Sequence, residues 1–160
     1  MPQAAFLARF VPFLKTLPSG HLSALEIRNK NRLSPKLADV LRERGIALAL
    51  IDQAWMPRPA EWFERFPSGD GPITADFTYI RWLGDRKGIE RLTKSWDKTI
   101  FDCREPLQEW VKICYQTVRR GVSVYAYANN HYAGHGPATV RLFEELWKGV
   151  KLSSGTEGVD

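Results

Sequence analysis

Asn129, Asn130 and His131 come directly after the apolar run of residues 122–128 and directly before Tyr132-Ala133-Gly134-His135-Gly136-Pro137. Amides and an imidazole are groups that orient a substrate and move protons. α/β proteins collect such groups at the carboxyl ends of their strands. Side chains alternate between the two faces of a strand, so three further runs add to the set. Glu26 shares a face with Arg28, away from Leu25 and Ile27. Tyr79 shares one with Arg81, and Tyr127 with Asn129. Asp52 is the single polar group ending an apolar run. Four neighbouring parallel strands that each finish in a polar or charged side chain are expected to converge on one crevice. In it Glu26, Asp52 and His131 would do acid–base or metal-binding work, while Arg28, Tyr79, Arg81, Asn129, Asn130 and His135 would hold the substrate.

The planar fork of arginine suits a carboxylate or phosphate, so the expected substrate is anionic. A plainer reading stands beside this one. Glu26 and Arg28 are equally suited to pair with charges in their own sheet, and Asn129, Asn130 and His131 to satisfy backbone groups of the loop they occupy. His131 and His135 have the four-residue spacing of a helical metal pair, but Gly134, Gly136 and Pro137 interrupt any helix there. Glu26 and Asp52 would be the oxygen ligands of a hydrolytic metal site, the cofactor itself being unknown. Pro137 opens a helix whose first N–H groups point toward an anion in the crevice, and Tyr132 offers a stacking face.

Strand-length apolar runs alternate with helix-period segments, the pattern of βα units on a parallel sheet. The predicted strands are residues 22–29, 46–52, 76–83 and 122–128. A helix follows the first, with Ser34 as N-cap, Pro35 in the first turn and Gly45 as stop. A short helix is predicted over residues 60–66, and a long loop with some local helix over 84–105. Two longer helices cover 106–120, stopped by Gly121, and 137–149, the latter with an apolar stripe of Leu142, Phe143, Leu146 and Trp147. One domain spans residues 1–150, and residues 151–160 are a polar tail of disordered composition.

A chain of 160 residues with 44% apolar content and six tryptophans can bury a substantial core. The net charge of +5 tolerates phosphate-bearing partners, but the basic residues are scattered among acids, which makes nucleic acid a lesser candidate partner. Cys103 and Cys114 stand eleven positions apart in or beside one helical pattern, about 16 Å along the axis and beyond the reach of a disulfide. Two free thiols, no signal-peptide pattern and no apolar run of spanning length point to the cytoplasm, with no membrane partner.

Four segments taken together resemble the domain-of-unknown-function family 72, also called YecE-like: Ala24 through Asn29, Ala47 through Asp52, Phe77 through Gly84 and Asn129 through Ala138. They come in the family's order, and the resemblance runs from the first helix to about Trp147. It implies a TIM-barrel-like (β/α) fold with uncharacterised activity, and it carries over Glu26, Arg28, Asp52, Tyr79, Arg81, Asn129, Asn130 and His131. Ala128 stands where the family usually has phenylalanine, and Gly136 where it has alanine. A complete eight-unit barrel takes about 250 residues. The resemblance therefore implies the carboxyl-terminal half of a (β/α)8 barrel, about four βα units, with the first four missing. An unclosed sheet of this kind needs a partner, either a second copy of itself or a separate amino-terminal half. Two functions are expected on these grounds. One is a barrel enzyme acting on an anionic or phosphorylated molecule; the other is a non-catalytic binding or scaffolding module, or a half-barrel without activity of its own.

Overall fold

The computed structural model describes residues 2–18, 20–67 and 70–154, with side chains up to residue 150. The elements run α1 (Gln3–Leu14), β1 (Ala24–Leu25), a 3-10 turn (Lys30–Arg32), α2 (Pro35–Arg42), β2 (Ala47–Gln53), α3 (Pro59–Glu64), β3 (Phe77–Gly84), α4 (Arg86–Leu92), α5 (Arg104–Arg119), β4 (Ser123–Ala128), α6 (Asn130–Ala133) and α7 (Gly136–Ser154). The four strands form one parallel sheet in the order β1-β2-β3-β4. This is an α/β fold consistent with part of a TIM-barrel-like architecture. Among the described residues β1 and β4 each have a strand neighbour on one side only, and no helix is long and apolar enough to cross a membrane.

Local chemistry explains the element borders. The hydroxyl of Ser34 accepts from the backbone N–H of Leu37 at 3.2 Å, which caps α2, and Pro35 occupies the first turn, where its missing N–H costs nothing. Gly45 ends that segment with a φ of +61°, a conformation that side chains disfavour. The side-chain amide of Gln3 donates to Ser34 Oγ at 2.9 Å and to the Arg32 carbonyl at 3.1 Å, tying α1 to the start of α2. At the start of β2 a side chain replaces a strand: Thr74 Oγ1 accepts from the Leu48 N–H at 2.7 Å and donates to the Ile46 carbonyl at 2.6 Å.

Register assigns the two faces of the sheet. Ala49 stands opposite Tyr79 and Ile51 opposite Arg81, while Tyr79 stands opposite Tyr125 and Arg81 opposite Tyr127. The alternate rows contain Leu48, Leu50, Ile80 and Trp82, which join Leu37 and Leu41 of α2, Trp62 of α3, and Leu107 and Trp110 of α5 in the core. Each fully buried aliphatic side chain in such a layer contributes roughly 1.5–3 kcal/mol. The other face carries no comparable cover on β4, where Tyr125 and Tyr127 are 44% and 52% exposed. Their rings meet Phe77 and Tyr79 at centroid distances of 6.1 and 4.9 Å.

Two expectations change. The first strand shrinks from residues 22–29 to Ala24–Leu25, because the Asn29 side chain accepts from the Asn31 N–H and turns the chain into the 3-10 segment. The last helix, α7, continues past residue 149 to Ser154, while the local helix expected within 84–105 is α4. Residues 155–160, the rest of the expected disordered tail, lie outside the described residues. Cys103 and Cys114 are both buried free thiols, as their spacing requires.

Candidate functional site

Glu26 is the centre of the first group of polar side chains. One carboxylate oxygen accepts from Arg28 Nε at 2.5 Å, and the other accepts from Arg81 Nη1, which reaches it from β3. Burial raises the carboxyl's pKa, but hydrogen bonds and charge from Arg81 and then Arg28 outweigh it and hold Glu26 below its ordinary value. Two guanidiniums against one carboxylate leave an excess of one positive charge (2 − 1 = +1). Arg28 is largely exposed, whereas Arg81 and Glu26 are half-buried. The paired Tyr79 and Tyr127 rings lie on the same face and flank Arg81 by register.

A second group is built where β4 leaves the sheet. Asn129 Oδ1 accepts from the His131 N–H at 2.9 Å, which caps α6, and lies 2.6 Å from His131 Nδ1. The other ring nitrogen, Nε2, is 3.3 Å from Glu90 Oε1 on α4, and that same oxygen accepts from Arg86 Nε at 2.7 Å. Trp96 packs on the imidazole at 4.7 Å between centroids. Asn130 Oδ1 accepts from the Gly136 N–H at 2.8 Å and so satisfies the start of α7. The His135 carbonyl accepts from the Thr139 N–H in the first turn of α7, and the His135 ring contributes to lowering the carboxyl of Asp97, an effect due chiefly to a hydrogen bond from Ser95. The helix break between α6 and α7 is real. Gly134 has a φ of +107°, and a Cβ there would stand 2.6 Å from the Lys98 carbonyl oxygen.

Asp52 does not join either group. A register shift at Asp52/Gln53 follows its pairing with Trp82, which puts it among the helix-side rows, and Asp52 Oδ2 accepts from Trp110 Nε1 at 2.7 Å and from the Tyr132 hydroxyl at 2.8 Å. Burial raises its pKa above the ordinary value against the effect of those two hydrogen bonds, and raises Tyr132 further still, with the Asp52 charge adding to it. The expected single crevice therefore divides in three: Glu26, Arg28, Tyr79 and Arg81 belong to one face, Asn129 and His131 meet Glu90 where β4 leaves the sheet, and Asp52 lines a cleft of about 360 Å³ with Arg58, Glu109 and Tyr132. Glu26 and Asp52 are thus not joint ligands of one metal. Among the described residues no group of three histidine, cysteine or acidic side chains is arranged to hold a metal ion.

A family model described as "Protein of unknown function DUF72" matches residues 1–157. The chain belongs to the DUF72 family. No curated protein and no solved structure matches it.

In this DUF72 chain the residues that sequence reasoning missed are Glu90, Trp96 and Trp110. Glu90 had one available signal, the Arg86-to-Glu90 spacing of four that marks an ion pair along a helix. Trp110 had none, because its indole N–H finds Asp52 across fifty-eight positions of sequence. Chemically, the Arg28–Glu26–Arg81 group offers fixed positive charge and the His131 group offers an imidazole held between an amide oxygen and a carboxylate.

Proposed function

We propose that this protein binds an anionic, phosphate- or carboxylate-bearing small molecule at the carboxyl end of its sheet, with Arg28 and Arg81 as the anion clamp and Glu26 as the group that holds both guanidiniums in place. The single observation supporting this is the two-to-one ratio of guanidinium to carboxylate in that group. Tyr79 and Tyr127 are the apolar wall beside it. His131, oriented by Asn129 and Glu90, is the acid–base group of an enzyme reading, in which Asn130 and His135 shape the loop rather than touch the substrate. In this reading the four βα units are the carboxyl-terminal half of a (β/α)8 barrel. Two buried free thiols agree with a reducing, cytoplasmic setting.

The alternative is a non-catalytic binding module. It is favoured by one observation: Asn129 and Asn130 spend their side-chain oxygens on backbone N–H groups of their own loop. Titration calorimetry with inorganic phosphate tests the shared core of both readings. Binding by the unaltered chain, lost in Arg81→Ala and weakened in Arg28→Ala, is the expected result. Equal heats in all three proteins would remove the basis for an anion site. Nucleic acid remains the lesser partner class, and binding of an oligonucleotide that survives Arg81→Ala would favour it.

A further inference from the structure

Asp52 and Gln53, the last residues of β2, carry two side-chain oxygens for which the described residues supply no donor. Asp52 spends Oδ2 on Trp110 and Tyr132, while its Oδ1 accepts from nothing among them and is not enclosed. Gln53 Oε1 is enclosed and equally without a donor. Acceptors left unmet at such depth are costly and rare. Consecutive strand residues ordinarily point to opposite faces. Asp52 pairs with Trp82 but Gln53 with Gly84, so Leu83 is an extra residue in β3 and the alternation breaks there. Both side chains line the same cleft of about 360 Å³.

The walls of that cleft come from β2 and the loop after it, the end of β3, residues 101–109 and α6, with none from β1 or β4. The cleft is therefore built inside the four βα units and not at either margin of the sheet. Its lining carries Asp85, Asp102, Glu105 and Glu109 against Arg58 alone, a formal −3 (1 − 4) before Asp52 is counted, in a chain whose net charge is +5. Two of these carboxylates have local work: Asp102 accepts from the Arg104 N–H, and Glu105 lies in the first turn of α5. Asp85 and Glu109 have no ion-pair partner among the described residues. Met56, Phe101 and Pro106 add apolar wall.

We infer that this cleft binds a small organic cation, an ammonium or guanidinium head on an apolar stem, whose N–H groups satisfy Asp52 Oδ1 and Gln53 Oε1 while Asp85 and Glu109 supply countercharge. Unmet acceptors call for a donor, and these two heads donate without accepting. The apolar wall takes the stem, as in most small-molecule sites. A metal ion fits less well, because no three histidine, cysteine or acidic side chains among the described residues are arranged to hold one. A cation beside Asp52 favours its charged form, which burial alone disfavours. The site lies apart from the Arg28–Glu26–Arg81 group and takes a ligand of the opposite sign, so it stands or falls independently of the anion reading.

Titration calorimetry of the full chain with diaminobutane should show binding, and butanediol, the same carbon chain without charge, should show none. Asp52→Asn keeps an acceptor for Trp110 and Tyr132 and should weaken the binding about tenfold, the scale of one charge-assisted contact. Glu109→Gln should weaken it less. Glu43→Gln, which removes an exposed carboxylate just past α2, should leave it unchanged. A readout that needs no variant is the Trp110 indole N–H resonance, which should shift as diaminobutane is added because its acceptor is Asp52. Absence of heat with diaminobutane overturns the inference. So do equal affinity in Asp52→Asn, equal binding of butanediol, a loss in Glu43→Gln as large as that in Glu109→Gln, or an indole resonance that does not move.

Discussion

Glu26 reaches across β2 to Arg81, a residue fifty-five positions later in the chain, and forms an ion pair with it while also holding Arg28. The carboxylate therefore has two tasks, joining β1 to β3 and presenting two guanidiniums at one place. Replacing it separates the two. In Glu26→Gln the group's charge rises from +1 to +2, so calorimetry should read tighter phosphate binding than in the unaltered chain. Chemical denaturation should read a loss of about 1 kcal/mol, the scale of a partly exposed ion pair.

Acid stability should carry two opposite slopes. Glu26 titrates lower in the folded protein than in the unfolded chain, so its stabilisation is complete above the unfolded value and is lost as pH falls through the folded one. Asp52 titrates higher when folded, so the folded state keeps its proton longer and stability declines as pH rises from the unfolded value through the folded one. Urea midpoints measured across the acid range should lose the first slope in Glu26→Gln and the second in Asp52→Asn.

Asp52 should respond very differently to two substitutions. Asparagine keeps an oxygen for Trp110 and Tyr132 and removes a charge that burial disfavours, so Asp52→Asn should match or exceed the unaltered stability at neutral pH. Alanine leaves an indole N–H and a phenol hydroxyl without their acceptor, at a cost of about 2–3 kcal/mol. Thermal melts of the two variants decide the matter.

Gly84 is the close-approach point between β3 and α6. Its φ is +68°, and a Cβ there would stand 2.6 Å from both the His131 carbonyl oxygen and Tyr132 Cα, which are backbone atoms that cannot swing aside. Gly84→Ala should cost about 2–4 kcal/mol by combining backbone strain with overpacking. It should also displace the His131 ring, which would appear as a changed imidazole resonance in NMR.

The thiols should be silent in the native state. Burial pushes Cys114 up to about 12 and raises Cys103 as well, so neither presents thiolate at neutral pH. A thiol reagent should label both only after denaturation, and native-state labelling at either site would show that the helix layer opens there.

Much of this architecture was legible because the sequence states it locally. Ser34, Pro35 and Gly45 delimit α2, and the unbroken run from Ala47 to Ile51 marks a strand covered on both faces. That same run hid the side on which Asp52 falls, because a strand apolar on both faces carries no alternation from which to count. The strand ends of β3 and β4 alternate clearly, so the face shared by Tyr79 and Arg81 can be counted from the sequence, whereas Asn129, expected beside Tyr127, turns its oxygen to His131 instead. Glu90 escaped because α4 lacks an apolar stripe and meets His131 only through tertiary folding. The first strand was overextended because nothing local reports that Asn29 will turn the chain.

The hydroxyl of Thr74, inserted between Ile46 and Leu48, has a consequence for handedness of purpose in the sheet. It anchors one β-segment just before the next begins, and slippage by a single residue would exchange every inward group for its outward neighbour. Arg81 would then be driven among the tryptophans and Trp82 into water. One alcohol group is thus among the contacts that keep Arg81 on its own side of the sheet, together with the ladders of β3 and the burial of Ile80 and Trp82.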